Sequence, residues 1–409
     1  MTRYSLIPVF YLWLLTAQAQ ELPLTHSQIE AMFLTQNLEL IAEQMNISIA
    51  DAAIAEAKVW DNPEFSINDI NVWGTGREKQ FSVELTQMVS LSARRAKLAN
   101  VEKVGKEIAI KQFEELLRGL KLELRNTIAE LVYFQNSIKV LDDQKQFLER
   151  VIAAYKTQYE KGNLSKSELL RLQTALFEIE GVINDTQIEF NSLQKTLKNL
   201  LAVDPLAVIV VTEDANPFPS PVALNPNVLI ETALASRPDL QSAVLQADYY
   251  RKDITYQKSL AVPDVSFGAK YDRYGGVWDN FFGVGIGLQI PVFNRNKGAI
   301  KTAQIQLKQS ELLVEQGQKI LQNEIIESYR NYSHTYAFLE RNLKNPALSE
   351  LDQMLEVYTK NLIARNISMV EYMDFMDSYR STKEMLLKSQ KELKIQLEQL
   401  QFSVGQDIE

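Results

Sequence analysis

The sequence predicts a mainly α-helical protein with a small β part, in which long coiled-coil hairpins are duplicated and four amphipathic β-strands are added per chain. Three observations predict it. The chain repeats itself at a shift of about 200 residues, far beyond the period of a solenoid. Apolar residues recur three or four apart over long stretches, which is a coiled-coil spacing. Four short segments alternate instead with a period of two.

Taken in order, the N-terminus reads as a secretory signal over residues 1–19. Arg3 supplies the charged start, Leu6 to Leu15 an apolar stretch, and Ala17-Gln18-Ala19 a small-residue cleavage site, so the mature chain is expected to begin at Gln20. An apolar run of about ten residues is too short to cross a bilayer, which needs roughly 20. Two repeats follow, at 20–202 and 227–409, joined by a linker at 203–226 that holds Pro205, Pro217, Pro219, Pro221 and Pro226 around a short β-branched run, Val208 to Val211. That composition suits a connector with one small strand.

The repeats align segment by segment. Asn37-Leu38-Glu39-Leu40 matches Arg237-Pro238-Asp239-Leu240, and Pro63 to Ile67 matches Pro263 to Phe267. Gln87-Met88 matches Gln289-Ile290, and Tyr155 to Leu170 matches Tyr358 to Met373. Each repeat therefore reads helix, two strands, long helix, tight turn, helix. Helices are expected at 27–60, 92–161 and 165–201, then at 226–261, 294–364 and 368–403, with strands at 63–72, 80–91, 263–273 and 281–292. The stripe Leu169, Leu172, Leu176, Ile179, Ile183, Phe190, Leu193, Leu197 and Leu200 is the clearest coiled-coil seam. A helix of about 70 residues runs roughly 105 Å at 1.5 Å per residue. The two shorter helices of each repeat sum to about the same length, which predicts a rod with turns 162–165 and 366–368 at one tip and all strands at the other.

Charge and composition exclude several functions. A formal net charge of −9, one unit more negative once Arg3 is removed, argues against nucleic acid as a partner. With no cysteine there is no disulfide scaffold, thiolate metal site or lipid-modified cysteine. His26 and His334 are the sole histidines and stand far apart without a partner motif, and neither a phosphate loop nor a nucleophile elbow is present. The expectation is no enzyme, no cofactor and no bound metal.

The strands carry the localisation argument. Phe282, Val284, Ile286, Leu288 and Ile290 alternate with Gly283, Gly285, Gly287 and Gln289, while Val265, Phe267, Ala269 and Tyr271 alternate with Ser266, Gly268 and Lys270. Phe81, Val83 and Leu85 repeat the pattern against Ser82, Glu84 and Thr86. A sheet with one wet face gives the same alternation as a membrane barrel strand. Four strands cannot close a barrel alone, whereas a symmetric trimer supplies twelve. Trp60, Trp73, Tyr274, Trp278 and Phe293 bracket the strands as interfacial aromatics would. Just beyond them, Arg94, Arg95 and Lys97, and again Arg295, Lys297 and Lys301, put positive charge on a helix N-terminus, where the dipole disfavours it. Lipid phosphates are one partner for such a cluster, and a solvated basic turn is the alternative.

With these features in order, residues 25–405 resemble the TolC-like outer-membrane factor (outer membrane efflux protein) family. The resemblance rests on the doubled helix, hairpin, long helix, turn, helix plan. It also rests on the strand start after Pro63 and Pro263 and on the strand exit Gln289 to Arg295. It is greatest with members paired with resistance-nodulation-division pumps, heavy-metal systems among them. It implies a homotrimer with a twelve-stranded β-barrel and a periplasmic α-helical tunnel. The implied partners are outer-membrane lipid, a periplasmic adaptor and an inner-membrane transporter, in the setting of a Gram-negative outer membrane.

The resemblance also implies a periplasmic gate. Glu371 and Asp374, three apart and so on one helix face, match the acidic rings of the family, with an ordinary wet helix face as the alternative. The family's Tyr and Arg latch is replaced here by Leu362 and Ile367, which leaves Tyr358 and Arg365 as nearby substitutes. The turn residues Gly162, Asn163, Leu164, Asn366 and Ile367 are the expected adaptor contacts, although any helical hairpin needs turn residues. Met369, Met373 and Met376 could form a soft-metal ladder, but coiled-coil core gives the same spacing and Leu386, Leu393, Leu397 and Leu400 continue it. Efflux and type I protein secretion would use the same duct. A periplasmic adaptor would show one hairpin in a β-rich chain, and a soluble coiled-coil protein would leave the four strands unexplained.

Overall fold

The computed structural model describes residues 21–68, 70, 73, 80–212 and 218–408, apart from the side chains of 347 and 349. The expected signal segment 1–19, Pro217 and most of the first strand-to-strand loop lie outside the described residues. The chain divides into two compact units: one takes in residues up to Asn37 with 124–217 and 343–391, the other 38–123, 218–342 and 392–409. Both helix-to-helix turns belong to the first unit and all four strands of the larger sheet to the second.

In the first unit, strand β1 (Glu21–Thr25) leads directly into helix α1 (His26–Gln36) and pairs in parallel with β4 (Val208–Thr212). The expected small strand is there; its partner β1 was not legible, because five residues carry too short a pattern. Two glutamines hold β4 on its free side. Gln194 exchanges both amide hydrogen bonds with the backbone of Ile209, and Gln135 does the same for Val211. These bonds satisfy groups that would otherwise be lost in a buried setting. Thr25 caps α1 through a capping box with Gln28.

The same unit holds the coiled-coil seam. Helix α4 (Lys166–Leu201) buries Leu172, Ile179, Phe190, Leu197 and Leu200, with Leu169, Leu176 and Ile183 partly covered. With helices α8 (Pro346–Ile363) and α9 (Met369–Val404) and the end of α3 (Arg94–Glu160), it encloses one core centred on Leu148, Val151, Leu362 and Tyr372. Met369 and Met376 are buried in this core and Met373 packs against it, as the coiled-coil reading of that ladder requires.

Three expected helices are interrupted. The helix expected at 27–60 stops at Asn37 and resumes as α2 (Leu38–Ala57), and the one expected at 226–261 stops at Arg237 between α5 (Pro226–Ser236) and α6 (Pro238–Ser259). Asn37 and Arg237 are matched positions of the two repeats, and both are extended, with ψ 116° and 123°. At Arg237 the cause is Pro238, which disfavours the α region for the residue before it. The third interruption is in the helix expected at 294–364, which breaks into α7 (Lys297–Leu343) and α8, with Pro346 at the first turn of α8. Its counterpart α3 has no such proline and runs unbroken for 67 residues.

In the second unit, buried Arg237 fastens its break. Its guanidinium donates to Asp239, to Glu324 of α7 and to the Ser403 carbonyl at the end of α9. Burial alone disfavours the charge, but the hydrogen bonds to Asp239 and Glu324 outweigh it and raise the Arg237 pKa. Arg118 lies over the Phe402 ring and donates to the Phe402 carbonyl. Two arginines thus donate to carbonyls of the last turn of α9, where helical partners run out; Phe402 also accepts from the Gly405 N–H.

Candidate channel-forming sheet and helical turns

Four strands of the second unit form an antiparallel sheet in the order β2 (Glu64–Asn68), β3 (Phe81–Ser90), β5 (Asp264–Arg273), β6 (Asn280–Gln289). The strand from the first repeat, β3, pairs with β5 from the second over ten residues. Residues opposite one another share a face. One face carries the rows Ile67, Val83, Tyr271, Phe282 and Phe65, Leu85, Ala269, Val284, followed by Phe267 with Ile286 and Val89 with Val265 and Leu288. The other carries Ser66, Glu84, Lys270, Gly283 and Glu64, Thr86, Gly268, Gly285. The expected alternation is therefore realised in register across all four strands.

Nothing among the described residues covers the apolar face along β6. Phe282 is 71 % exposed, Val284 81 % and Ile286 76 %. Each large apolar side chain left in water forgoes about 1.5–3 kcal/mol of burial. The outer edges of β2 and β6 pair with no other strand among the described residues, so the sheet presents two open rows of backbone donors and acceptors.

Both ends of the sheet are marked. At one end, Trp73, Val277 and Trp278 are exposed beyond the strand termini. At the other, Ser90, Asp264 and Gln289 lie in one row, and there the chain turns into α3 and α7. Ala93 and Asn296, the residues before those helices, both adopt left-handed φ, 52° and 54°, and both give their carbonyls to the first helical turn. Arg94 does not face outward: it ion-pairs with Asp264 at 2.5 Å and Asp61 at 3.1 Å. Arg95 lies flat on Trp60, 3.3 Å from the ring centre, and donates to the Lys58 carbonyl. The lipid-phosphate reading of the basic cluster thus loses Arg94.

The two helical turns are copies of one design. Gly162 and Arg365 occupy the same place with left-handed φ of 75° and 62°. Asn163 N–H donates to the Gln158 carbonyl and Asn366 N–H to the Asn361 carbonyl, while Gly162 and Arg365 donate to Tyr159 and Leu362, which together make a Schellman end at each helix. Each following helix then opens with a capping box. Ser165 and Glu168 bond reciprocally, and Ser368 and Glu371 do so at 2.7 and 3.2 Å. Backbone and side-chain hydrogen bonds from Ser368 hold the exposed Glu371 carboxyl below the usual carboxylate range.

Comparison with known proteins points the same way. Residues 229–406 match the family model described as outer membrane efflux protein. Over 292 residues the chain is 21 % identical to the nickel-cobalt-cadmium resistance protein NccC of Alcaligenes xylosoxydans xylosoxydans, a match covering 70 % of this chain and 65 % of NccC. The chain thus spans just under two thirds of that curated relative. Among solved structures, CusC, described in connection with folding and transmembrane channel formation, superposes with a TM-score of 0.74 at 15 % identity, covering 93 % of this chain and 92 % of CusC. The Campylobacter jejuni CmeC outer membrane channel gives 0.73 at 12 % identity, covering 93 % and 85 %.

The second half of the chain resembles the outer membrane efflux proteins, and the chain shares the fold of solved outer-membrane channels.

The solved structures that share this fold are described as outer-membrane or transmembrane channels. In this chain the residues singled out from the sequence fall into three groups. Asn163, Gly162 and Asn366 are exposed at the turns, and Arg365 is exposed beside them. Leu164 and Ile367 instead turn inward and pack against the coiled-coil core, as does Tyr358, whose ring stacks on Phe375 at 4.1 Å. Leu362 is fully buried there. Glu371 and Asp374 are both exposed, but Glu371 already serves as a cap, exactly as its counterpart Glu168 does in the other repeat. Sequence reasoning missed this, although the spacing Ser-x-x-Glu at both turns carried the signal. His334 is exposed on α7, and among the described residues no group of three or more His, Asp or Glu could hold a metal ion.

Proposed function

We propose that three copies of this chain close a twelve-stranded barrel in the outer membrane of a Gram-negative bacterium and form the exit duct of a tripartite efflux pump. The single observation that carries this is the sheet: four strands with both edges open and one apolar face bare. In hydrocarbon, open strand edges are intolerable, and closure by symmetry removes them. The apolar face then meets lipid, and the face bearing Glu84, Lys270 and Asp272 lines the lumen. No described helix is long and apolar enough to cross a membrane, so the strands are the element proposed to do so.

On this reading the helices extend into the periplasm. The exposed turn residues Gly162, Asn163 and Asn366, with Leu164 and Ile367 beneath them, meet a periplasmic adaptor, and an inner-membrane transporter supplies the energy. Asp374 and Glu371 ring the entrance, with Glu371 keeping its capping bonds and Arg365 and Tyr358 bracing the same turn. The likeness to NccC supports divalent metal ions as cargo. Type I secretion would require the same duct.

The test is fractionation followed by electrophoresis with and without boiling. An outer-membrane trimer that collapses to monomer on heating is expected, and recovery as a soluble monomer would overturn the proposal.

A further inference from the structure

The helix-proximal end of the sheet combines two features that the barrel alone does not need. Leu91, Val292 and Phe293 follow the strands directly and stand exposed, Phe293 fully, and Trp60 is exposed beside the start of β2. Interleaved with them are Lys97, Arg295, Lys297 and Lys301, for which no carboxylate partner is found among the described residues, and Arg95, whose contacts are the Trp60 ring and the Lys58 carbonyl. The nearby acids Asp61 and Asp264 are both taken by Arg94. Neither α3 nor α7 has an acidic residue in its first turn, so these cations repel one another and the helix dipole.

We propose that this collar binds the headgroup of an anionic phospholipid in the inner leaflet of the outer membrane. The inference rests on the barrel reading, which puts this end of the sheet at the periplasmic surface. Charge complementarity selects the ligand: uncompensated cations stand at the rim of an apolar face that continues down the strands, so one amphiphile can satisfy both. Aromatic rings sit at the level of the headgroups, as Trp60 and Phe293 would. Arg95, held flat on Trp60, is positioned to present its remaining donors to phosphate oxygens in a fixed fork. Both repeats supply cations, so a trimer would carry six such clusters around its girth.

Native mass spectrometry of the full-length trimer in mixed micelles tests this. Phosphatidylglycerol should be retained in preference to phosphatidylcholine. Replacing Lys97, Arg295, Lys297 and Lys301 by Gln should lower that preference by about fivefold for each cation removed, while the heat-modifiable trimer persists. A control that replaces the exposed Lys103, Lys161, Lys195 and Lys308 should keep it. Equal retention of both lipids by the wild-type trimer, an unchanged preference in the collar variant, or an equal loss in the control would overturn the headgroup site and leave the barrel standing. Displacement of the lipid by inorganic phosphate would assign the site to the free anion and also overturn it. A wild-type chain that forms no trimer would overturn the barrel reading itself.

Discussion

Arg365 donates from Nη2 to the Asn163 carbonyl at 3.1 Å, so the turn of the second repeat is tied to the turn of the first. Arg365 is the counterpart of Gly162, and it holds the same left-handed φ without glycine's freedom. For an L-residue other than glycine that conformation costs roughly 1–2 kcal/mol. A strained arginine therefore stands where a glycine would be easier, and its side chain makes the inter-turn bond.

Separating the two effects is straightforward. Arg365→Gly should relieve the backbone and leave thermal stability unchanged or raised by about 1 kcal/mol, yet hydrogen exchange at both turns should speed up as the tether is lost. Gly162→Ala should lower stability by about 1 kcal/mol, with no change in exchange at Asn366. Thermal melts and exchange on the same samples read both.

The capping boxes give a pH prediction. Because Glu371 has its pKa lowered in the folded chain, its stabilising effect is present above the unfolded carboxylate value and is lost as pH falls through the lowered one. Wild type should be more stable than Glu371→Ala at neutral pH, and the two melting curves should converge under acid. Ser368→Ala and Ser165→Ala should each cost about 1 kcal/mol.

The shared core predicts a larger loss. Leu362 sits fully buried where a polar latch residue was sought, so Leu362→Ala should destabilise the turn-bearing unit by about 2–5 kcal/mol. Chemical denaturation would show this as a lowered midpoint. An effect below about 0.5 kcal/mol, the range of surface changes, would mean the site is not packed as described.

Arg237 predicts the cost of an orphaned charge. Truncating Arg237 to Ala takes the shared cation from Asp239 and Glu324 and leaves the Ser403 carbonyl without this donor; because both acids are more than a third exposed, solvent screens the loss and the cost should be about 1–3 kcal/mol. Denaturation midpoints of Arg237→Ala and of Arg237→Lys, which keeps the charge but not the bidentate fork, should both fall, the first further.

Much of this architecture was legible because the same signals recur in the two halves of the sequence. The strand alternation at Phe282 to Leu288 and the leucine stripe of α4 each reflect a single dominant force, burial on one face, and each folds as its period demands. The break at Asn37 was not legible as a break, since hydrophobic periodicity continues across it. Arg237 and Asn345 could have been read, because Pro238 and Pro346 follow them. The candidate gate was less legible still. Glu371 looked like half of an acidic pair on a wet face, and only the hydrogen bonds of Ser368 show it capping α9. Tyr358 was expected as a latch substitute and Ile367 as an adaptor contact, while both pack against the core.

The central claim is that the open edges of β2 and β6 join between copies. The chain contains no cysteine, so paired cysteines introduced along the two edges, for example at Phe65 or Ile67 with Val284 or Ile286, report on that contact without background. Oxidised outer-membrane preparations should yield, for at least one register, a covalent trimer that resists boiling and reverts to monomer on reduction. Monomer at every register, or an open-ended ladder of oligomers, would contradict a closed three-fold barrel.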